Sequence, residues 1–275
     1  MKTAKMKIGV LGFIFSLLFS SVIGQNVLEP MPRIEQDHVR YEDLMWAKRI
    51  WRRIDLRQKL NHPLYFPESP ANGRVSLFES MKTAVLSGNL SAYYPGPLGL
   101  DDMFSNKYKL DELDSILNPI QQVMLIDPST QKDTIVMFRD PIETQDVLIY
   151  ELKEDWYFDK ERSVMEVRIV GICPMILVLD EETGDFRGYK KLFWIPFIEL
   201  RNEMNNWPIY TRNNALEAMS FDDLFEKRMF QSHIVKESNV YDRYIMQYAS
   251  GKDAILESDR INQDVLEFEH DLWSY

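Results

Sequence analysis

A single cysteine, Cys173, stands in 275 residues, which excludes an intramolecular disulfide and leaves stability to the core and to partners. Cys173 lies in VGICPMILVL with no basic residue or histidine beside it. Nothing there lowers its pKa, so it is expected as a small buried hydrophobe, with an intermolecular disulfide as the remaining use of the thiol. Histidine is scarce too: His38, His62, His233 and His270 are all there is. H-E-x-x-H, C-x-x-C, G-x-S-x-G and Walker-type phosphate loops are all missing, which removes the common signatures of zinc proteases, thiol oxidoreductases, serine hydrolases and phosphate-loop NTPases.

Positive charge is in short supply. The chain carries 32 Lys and Arg against 43 Asp and Glu. Three of the lysines, Lys2, Lys5 and Lys7, precede an apolar run from Ile8 to Phe19. That run is too short to span a bilayer comfortably and polar sequence follows it at once. It reads as a signal peptide over residues 1–24, with Gln25 starting the mature chain. No cysteine sits near the cleavage point, which argues against a lipid anchor. The expectation is an exported chain with no transmembrane segment in its mature part. Without the three lysines the balance falls to −14, from 29 basic and 43 acidic residues. A chain so acidic does not seek nucleic acid, whose affinity comes from neutralised phosphates.

Element patterns lie behind these absences. Leu44, Ala47, Ile50 with Trp51, and Ile54 recur at three- and four-residue steps, which predicts a helix over Tyr41–Leu60, stopped at Asn61-His62-Pro63. A second helix is expected from about Ser76 to Ser87, closed by Gly88. The period then changes. Met165, Val167 and Ile169 alternate with Glu166 and Arg168, and polar turns at Asp159–Arg162 and EETGD separate short apolar runs. An antiparallel meander is expected between about Val147 and Phe197. Helix signals return from Phe221 onward. The fold class is therefore α+β, with helices at both ends of the mature chain around the meander. Residues 25–145 form a mainly helical part, and 146–275 hold the meander and C-terminal helices, compatible with one compact domain.

One phrase occurs twice: IDLRQKLNHPLY at 54–65 and IELRNEMNNWPIY at 198–210. Tyr-x-x-Leu-x-Trp blocks precede both (41–46, 189–194) and Asp-Asp-x-Phe blocks follow both (101–104, 222–225). An internal duplication is the reading preferred over chance similarity.

Chemistry is thinly written. His270 sits among Glu267, Glu269 and Asp271, but on a helix only Glu267 shares its face, so a solvated acidic helix is preferred to a metal site. Asp101-Asp102 and Asp222-Asp223 invite comparison with the two carboxylates of a glycoside hydrolase. Helix capping explains them better, and Ser220 with Asp223 has the spacing of a capping box. Charge is segregated. Residues 40–59 carry seven basic and three acidic side chains, whereas 237–275 carry nine acids against three bases. A basic helix of one subunit meeting an acidic surface of its neighbour would be a heterologous contact, which closes into rings or runs into filaments. Trp46, Arg49, Trp51, Arg52, Arg53 and Arg57 are the expected interface, because Trp and Arg dominate hot spots. A core role for both tryptophans stays open.

The blocks YEDLMWAKRIWRRIDLRQKLNHPLYFP, FEKRMFQSHIVKESNVYDRYI and EHDLW resemble the GldN/PorN family of gliding-motility and type IX secretion proteins of Bacteroidetes, from about Arg40 to Trp273. The resemblance implies a non-enzymatic periplasmic protein held at the inner face of the outer membrane by its partners. It implies assembly with a GldK/PorK-type outer-membrane lipoprotein into a large ring, near the GldM/PorM-type motor component. It supplies no catalytic, cofactor-binding or metal-ligating residue, so none is expected. Two other classes remain beside it: an exported polysaccharide-active enzyme using paired carboxylates, and a peptidoglycan-binding module.

Overall fold

A computed structural model describes residues 44–126, 133–180, 183–209 and 219–273. The signal segment, His38 and Arg40 lie outside these residues. The expected meander is present. Strand β4 (Val147–Asp159) turns into β5 (Val164–Leu179), and β6 (Phe186–Lys191) and the short β7 (Ile195–Pro196) both pair antiparallel with β5. Asp159 makes the first turn: its Oδ1 accepts the amides of Glu161 and Arg162, and its Oδ2 accepts from Arg162 Nε at 2.8 Å.

The helix expected over Tyr41–Leu60 is not there. Leu44–Asp55 is strand β1, inserted between β4 and a last strand, β8 (His233–Glu237), so the sheet runs β6-β5-β4-β1-β8 with β7 beside β5. From Ile50 onward β1 is covered on both faces, and covered strands lose the clean in-out alternation that marks them, while Ala47 of the apparent helical stripe is exposed. Trp51 and Ile50 are both buried, on opposite sides of the pleat. β8 likewise replaces part of the helical stretch expected after Phe221.

Helices α1 (His62–Tyr65), α2 (Leu77–Leu86), α3 (Leu110–Leu117), α4 (Phe197–Asn205) and α5 (Phe221–Glu226) enclose the main core with the sheet residues Ile54, Tyr150, Leu152 and Ile172. The expected cap at Ser220 is present, whereas Asp101-Asp102 starts no helix, since the next one, α3, begins only at Leu110. Ser76 Oγ accepts from Glu79 N ahead of α2, and Ser220 and Asp223 form a reciprocal capping box ahead of α5. The long C-terminal helix α6 (Lys252–Trp273) packs Ile261 and Val265 against Ile50 and Ile234 on the same side of the sheet. On the opposite side Trp51, Cys173, Trp194 and Val235 cluster beneath Tyr93, Phe104 and Tyr244. Apart from this body, β2 (Ile120–Ile126) and β3 (Asp133–Arg139) form a separate two-stranded hairpin that leaves Met137 64% exposed.

The doubled phrase takes two different structures. Its first occurrence runs from the end of β1 through a turn into α1, while Phe197–Asn205 in the second is helix α4. The shared arginine does unlike work: Arg57 is exposed and pairs with Asp55, whereas its counterpart Arg201 is buried. Asn61 is fully buried and donates to the carbonyls of Asp55 and Gln231, both at 2.8 Å. Arg201, also buried, forks onto Asp222 at 2.7 and 3.0 Å and meets Glu226 at 2.9 Å.

Candidate functional site

The basic residues of β1 face acids of β4 because the two strands run antiparallel in register, with Arg53 opposite Glu151 and Arg49 opposite Asp155. Arg49 forks onto Asp155 at 2.6 and 2.8 Å. Arg52 Nε donates to Glu154 at 3.1 Å, and Arg53 Nε to Glu151 at 3.0 Å. Lys48 pairs with Glu237 of β8 at 2.6 Å, and Arg57 closes on Asp55 in the following turn. The segregated positive charge is thus largely met within the chain.

Strand alternation also divides the expected interface. Trp46 and Arg52 point to the helix side, where Trp46 stacks on Phe268 of α6 with ring centroids 4.6 Å apart. Arg49, Trp51 and Arg53 point to the other side. Trp51 Nε1 donates to Asp102 at 2.7 Å in a buried bond, and Lys236 Nζ lies 4.3 Å from its ring centroid. Arg57 and Arg49 are the most exposed of the four arginines, at 59% and 36%, against 15% for Arg53 and 10% for Arg52.

The second side of the sheet carries the densest chemistry. Glu151 is fully buried and takes Arg53 on one oxygen, and Lys191 and the Tyr244 hydroxyl on the other. Burial by itself would push the Glu151 carboxyl up, but Lys191 and Arg53 outweigh it and hold it below the usual range. Burial would likewise strip the Lys191 ammonium of its proton, and the Glu151 carboxylate more than reverses that. Two residues along, Lys153 Nζ donates to the backbone oxygen and Oδ1 of Asp102, at 2.6 and 3.1 Å. Burial pushes the Lys153 ammonium down, and Asp102 opposes that shift.

A groove of about 830 Å³ opens over the Glu151 cluster. Its floor includes Arg53, Met175, Tyr189, Lys191 and Tyr244. One wall is the turn 95–100, which bends through Gly96 (φ +78°) and Gly99 (φ +68°), with Leu98 at the rim 81% exposed. The other wall is α3 through Glu112 and Ile116, together with Tyr108. The turn is anchored at its far end by Asp102 and Phe104, and Phe104 fits only because residue 171 is glycine: a Cβ there would stand 2.5 Å from the Phe104 ring. Burial pushes the Tyr108 hydroxyl up to about 12 and drives Tyr244 higher still, and the Tyr244 hydroxyl donates to Glu151 at 3.0 Å and accepts from Lys191 at 2.9 Å.

The remaining acids have structural partners. Asp101 Oδ1 accepts the Met103 amide at 3.1 Å, Asp102 serves Trp51 and Lys153, Asp222 serves Arg201, and Asp223 caps α5. Among the described residues no three His, Cys, Asp or Glu side chains converge as metal ligands, His270 and its neighbours included. Cys173 is a buried free thiol, as its apolar setting suggests, and burial pushes its pKa up.

A family model described as gliding motility associated protein GldN matches residues 39–274. The chain belongs to the GldN family. None of the curated proteins compared with it matches. In this GldN-family chain the three sequence blocks map onto β1 through α1, onto the end of α5 with β8 and the loop to Ile245, and onto the last turns of α6. Two of these blocks supply groove residues, Arg53 and Tyr244, whereas Glu151, Tyr189 and Lys191 come from the meander between them. None of those last three was legible as a site residue. The turn YYPGPLG was visible in the sequence, but nothing in it names the strand it covers. Among the described residues no helix is long and apolar enough to cross a membrane.

Proposed function

We propose that this chain is a non-enzymatic periplasmic subunit of the type IX secretion and gliding machinery, one that builds a ring with a GldK/PorK-type outer-membrane lipoprotein and stands beside a GldM/PorM-type motor component. The family match across residues 39–274 carries this reading. The surface supports it: apolar side chains stand out on the hairpin (Ile120, Met137), on the turn 95–100 (Leu98) and on α6 (Ile255, Leu256). Unpaired apolar surface of this kind favours association. Of the six interface residues, Arg49 and Arg57 are proposed to reach a neighbour, since Trp51 and Arg52 are enclosed within the chain.

The test is assembly. The mature chain, purified with the lipoprotein, should elute as a large complex and show rings by electron microscopy, and Arg49→Glu with Arg57→Glu should reduce their yield. A monomer that ignores the lipoprotein at low salt and neutral pH would overturn the reading. Turnover of a polysaccharide, abolished by Asp102→Asn or Asp222→Asn in a folded protein, would replace it with the enzyme alternative.

A further inference from the structure

We infer that the groove over Glu151 is a receptor for an acidic, extended peptide segment of a partner protein, whose side-chain carboxylates are met by Arg53 and Lys191. The inference stands on the charge balance of the groove and does not need the ring reading. Two cations share the single buried carboxylate of Glu151, so the floor holds one positive charge more than it neutralises. Arg53 spends its Nε–H on Glu151, and among the described residues its guanidinium makes no other hydrogen bond. Arg53, 15% exposed, and Lys191, 6% exposed, both line the groove in an otherwise acidic chain. The acid on the wall, Glu112, is exposed and already accepts the Lys109 amide at the start of α3.

The walls suit a peptide better than a bare anion. Tyr94, Tyr108, Tyr189 and Tyr244 present rings, and Leu98 and Met246 stand exposed at the edge, 81% and 72%. A chain in extended conformation sends alternate side chains to opposite sides. Acids at every second position then reach the cationic floor while apolar residues between them meet the rim. A carboxylate on a guanidinium fork is a charge-assisted contact, stronger than a neutral hydrogen bond.

The probe is a fluorescein-labelled, C-terminally amidated peptide, Gly-Leu-Glu-Phe-Glu-Leu-Gly, titrated with the mature chain and followed by anisotropy. Saturable binding is expected, weakened about tenfold or more by replacing both glutamates with glutamine, and weakened again by added salt. Arg53→Gln should lower affinity comparably, because Glu151 keeps Lys191 and the fold survives. Should that variant fail to fold, Leu98→Glu at the exposed rim decides, by repelling the same probe from a site that touches no buried charge. The inference is overturned by equal binding of the glutamate and glutamine peptides, by no saturable binding, or by undiminished binding in folded Arg53→Gln. It is overturned as well if a neutral peptide with a free C-terminal carboxylate, or a soluble peptidoglycan fragment, binds as tightly as the acidic probe.

Discussion

Arg52 and Arg53 are neighbours in the chain and opposites in the fold. Both reach a fully buried glutamate of β4, and each glutamate is shared by a second cation, Arg228 for Glu154 and Lys191 for Glu151. On the helix side Arg52 is 10% exposed and Arg228, at the edge, 33%. Glu154 also accepts Trp156 Nε1 at 3.0 Å, and Arg52 Nη2 donates to Asn262 Oδ1 of α6 at 3.1 Å. On the groove side Arg53, 15% exposed, has no side-chain hydrogen bond beyond Glu151 among the described residues, and its guanidinium carbon lies 6.0 Å from the Tyr244 ring centroid. One arginine is a structural strut; the other holds spare donors at an open mouth. A buried pair completed on all sides serves the fold alone, whereas an incomplete one at a cavity is where a ligand belongs.

The largest expected effect separates the two glutamates. Glu154→Gln leaves Arg52 and Arg228 without their acid beneath α6, a loss of about 3–5 kcal/mol by analogy with broken buried pairs. Glu151→Gln leaves Arg53 and Lys191 beside the groove, where water and Tyr244 compensate, at about 1–3 kcal/mol. Urea unfolding of both variants reads the difference, and equal losses would break the contrast between the two sites. Next comes Gly171→Ala, whose methyl displaces Phe104 and with it the anchored end of the groove wall. About 1–3 kcal/mol of overpacking cost is expected, with looser amide-exchange protection in 95–104.

The pH dependence is a smaller effect and its sign can be worked out. The Glu151 carboxyl ionises in the fold below its ordinary 4.5, so its contribution is complete above that value and drains away as the pH falls through the lower folded value. The Lys191 ammonium keeps its proton above its ordinary 10.5, so its contribution is complete below 10.5 and is lost only as the pH rises through the higher folded value. Stability measured from pH 3 to 7 should therefore rise, and Glu151→Gln should flatten part of that rise. An unchanged acid limb in the variant would remove Glu151 from the account. Smallest of all is Arg53→Gln, about 1 kcal/mol, since a single cation still matches Glu151.

Much of this comparison was hidden from a reading of residues alone. The meander between β4 and β7, the helix after Ser76, the box at Ser220 and the buried Cys173 were legible because each is a local signal: alternation, spacing or apolar context. Strand β1 was not. Leu44, Ala47, Ile50 and Ile54 imitate a helical stripe: from Ile50 on both faces are covered by tertiary packing, a non-local cause, while Ala47 is exposed and falls into step by chance. The consequence for the expected interface was direct, since a helix would have gathered Arg49, Arg52, Arg53 and Arg57 near one surface while a strand sends Arg52 and Arg53 apart. The doubled phrase misled for a related reason. Its Arg is the same letter in unlike surroundings, with Arg57 exposed on Asp55 and Arg201 buried on Asp222. The groove is assembled from β1, the 94–100 turn, α3, β6 and the loop before α6, so no stretch of sequence announces it. Family resemblance, by contrast, was carried by short ordered blocks and needed no fold.

The contrast between neighbouring arginines is tested most directly by taking Arg52→Gln and Arg53→Gln through thermal unfolding and the acidic-peptide titration side by side. The account predicts a crossed result. Arg52→Gln lowers the unfolding temperature more, yet its folded fraction binds the peptide like the parent, while Arg53→Gln keeps nearly the parental unfolding temperature and loses about tenfold in affinity. If both variants lose stability and affinity in parallel, or if Arg52→Gln is the one that loses the peptide, the two faces are not a strut and a mouth, and the account is wrong.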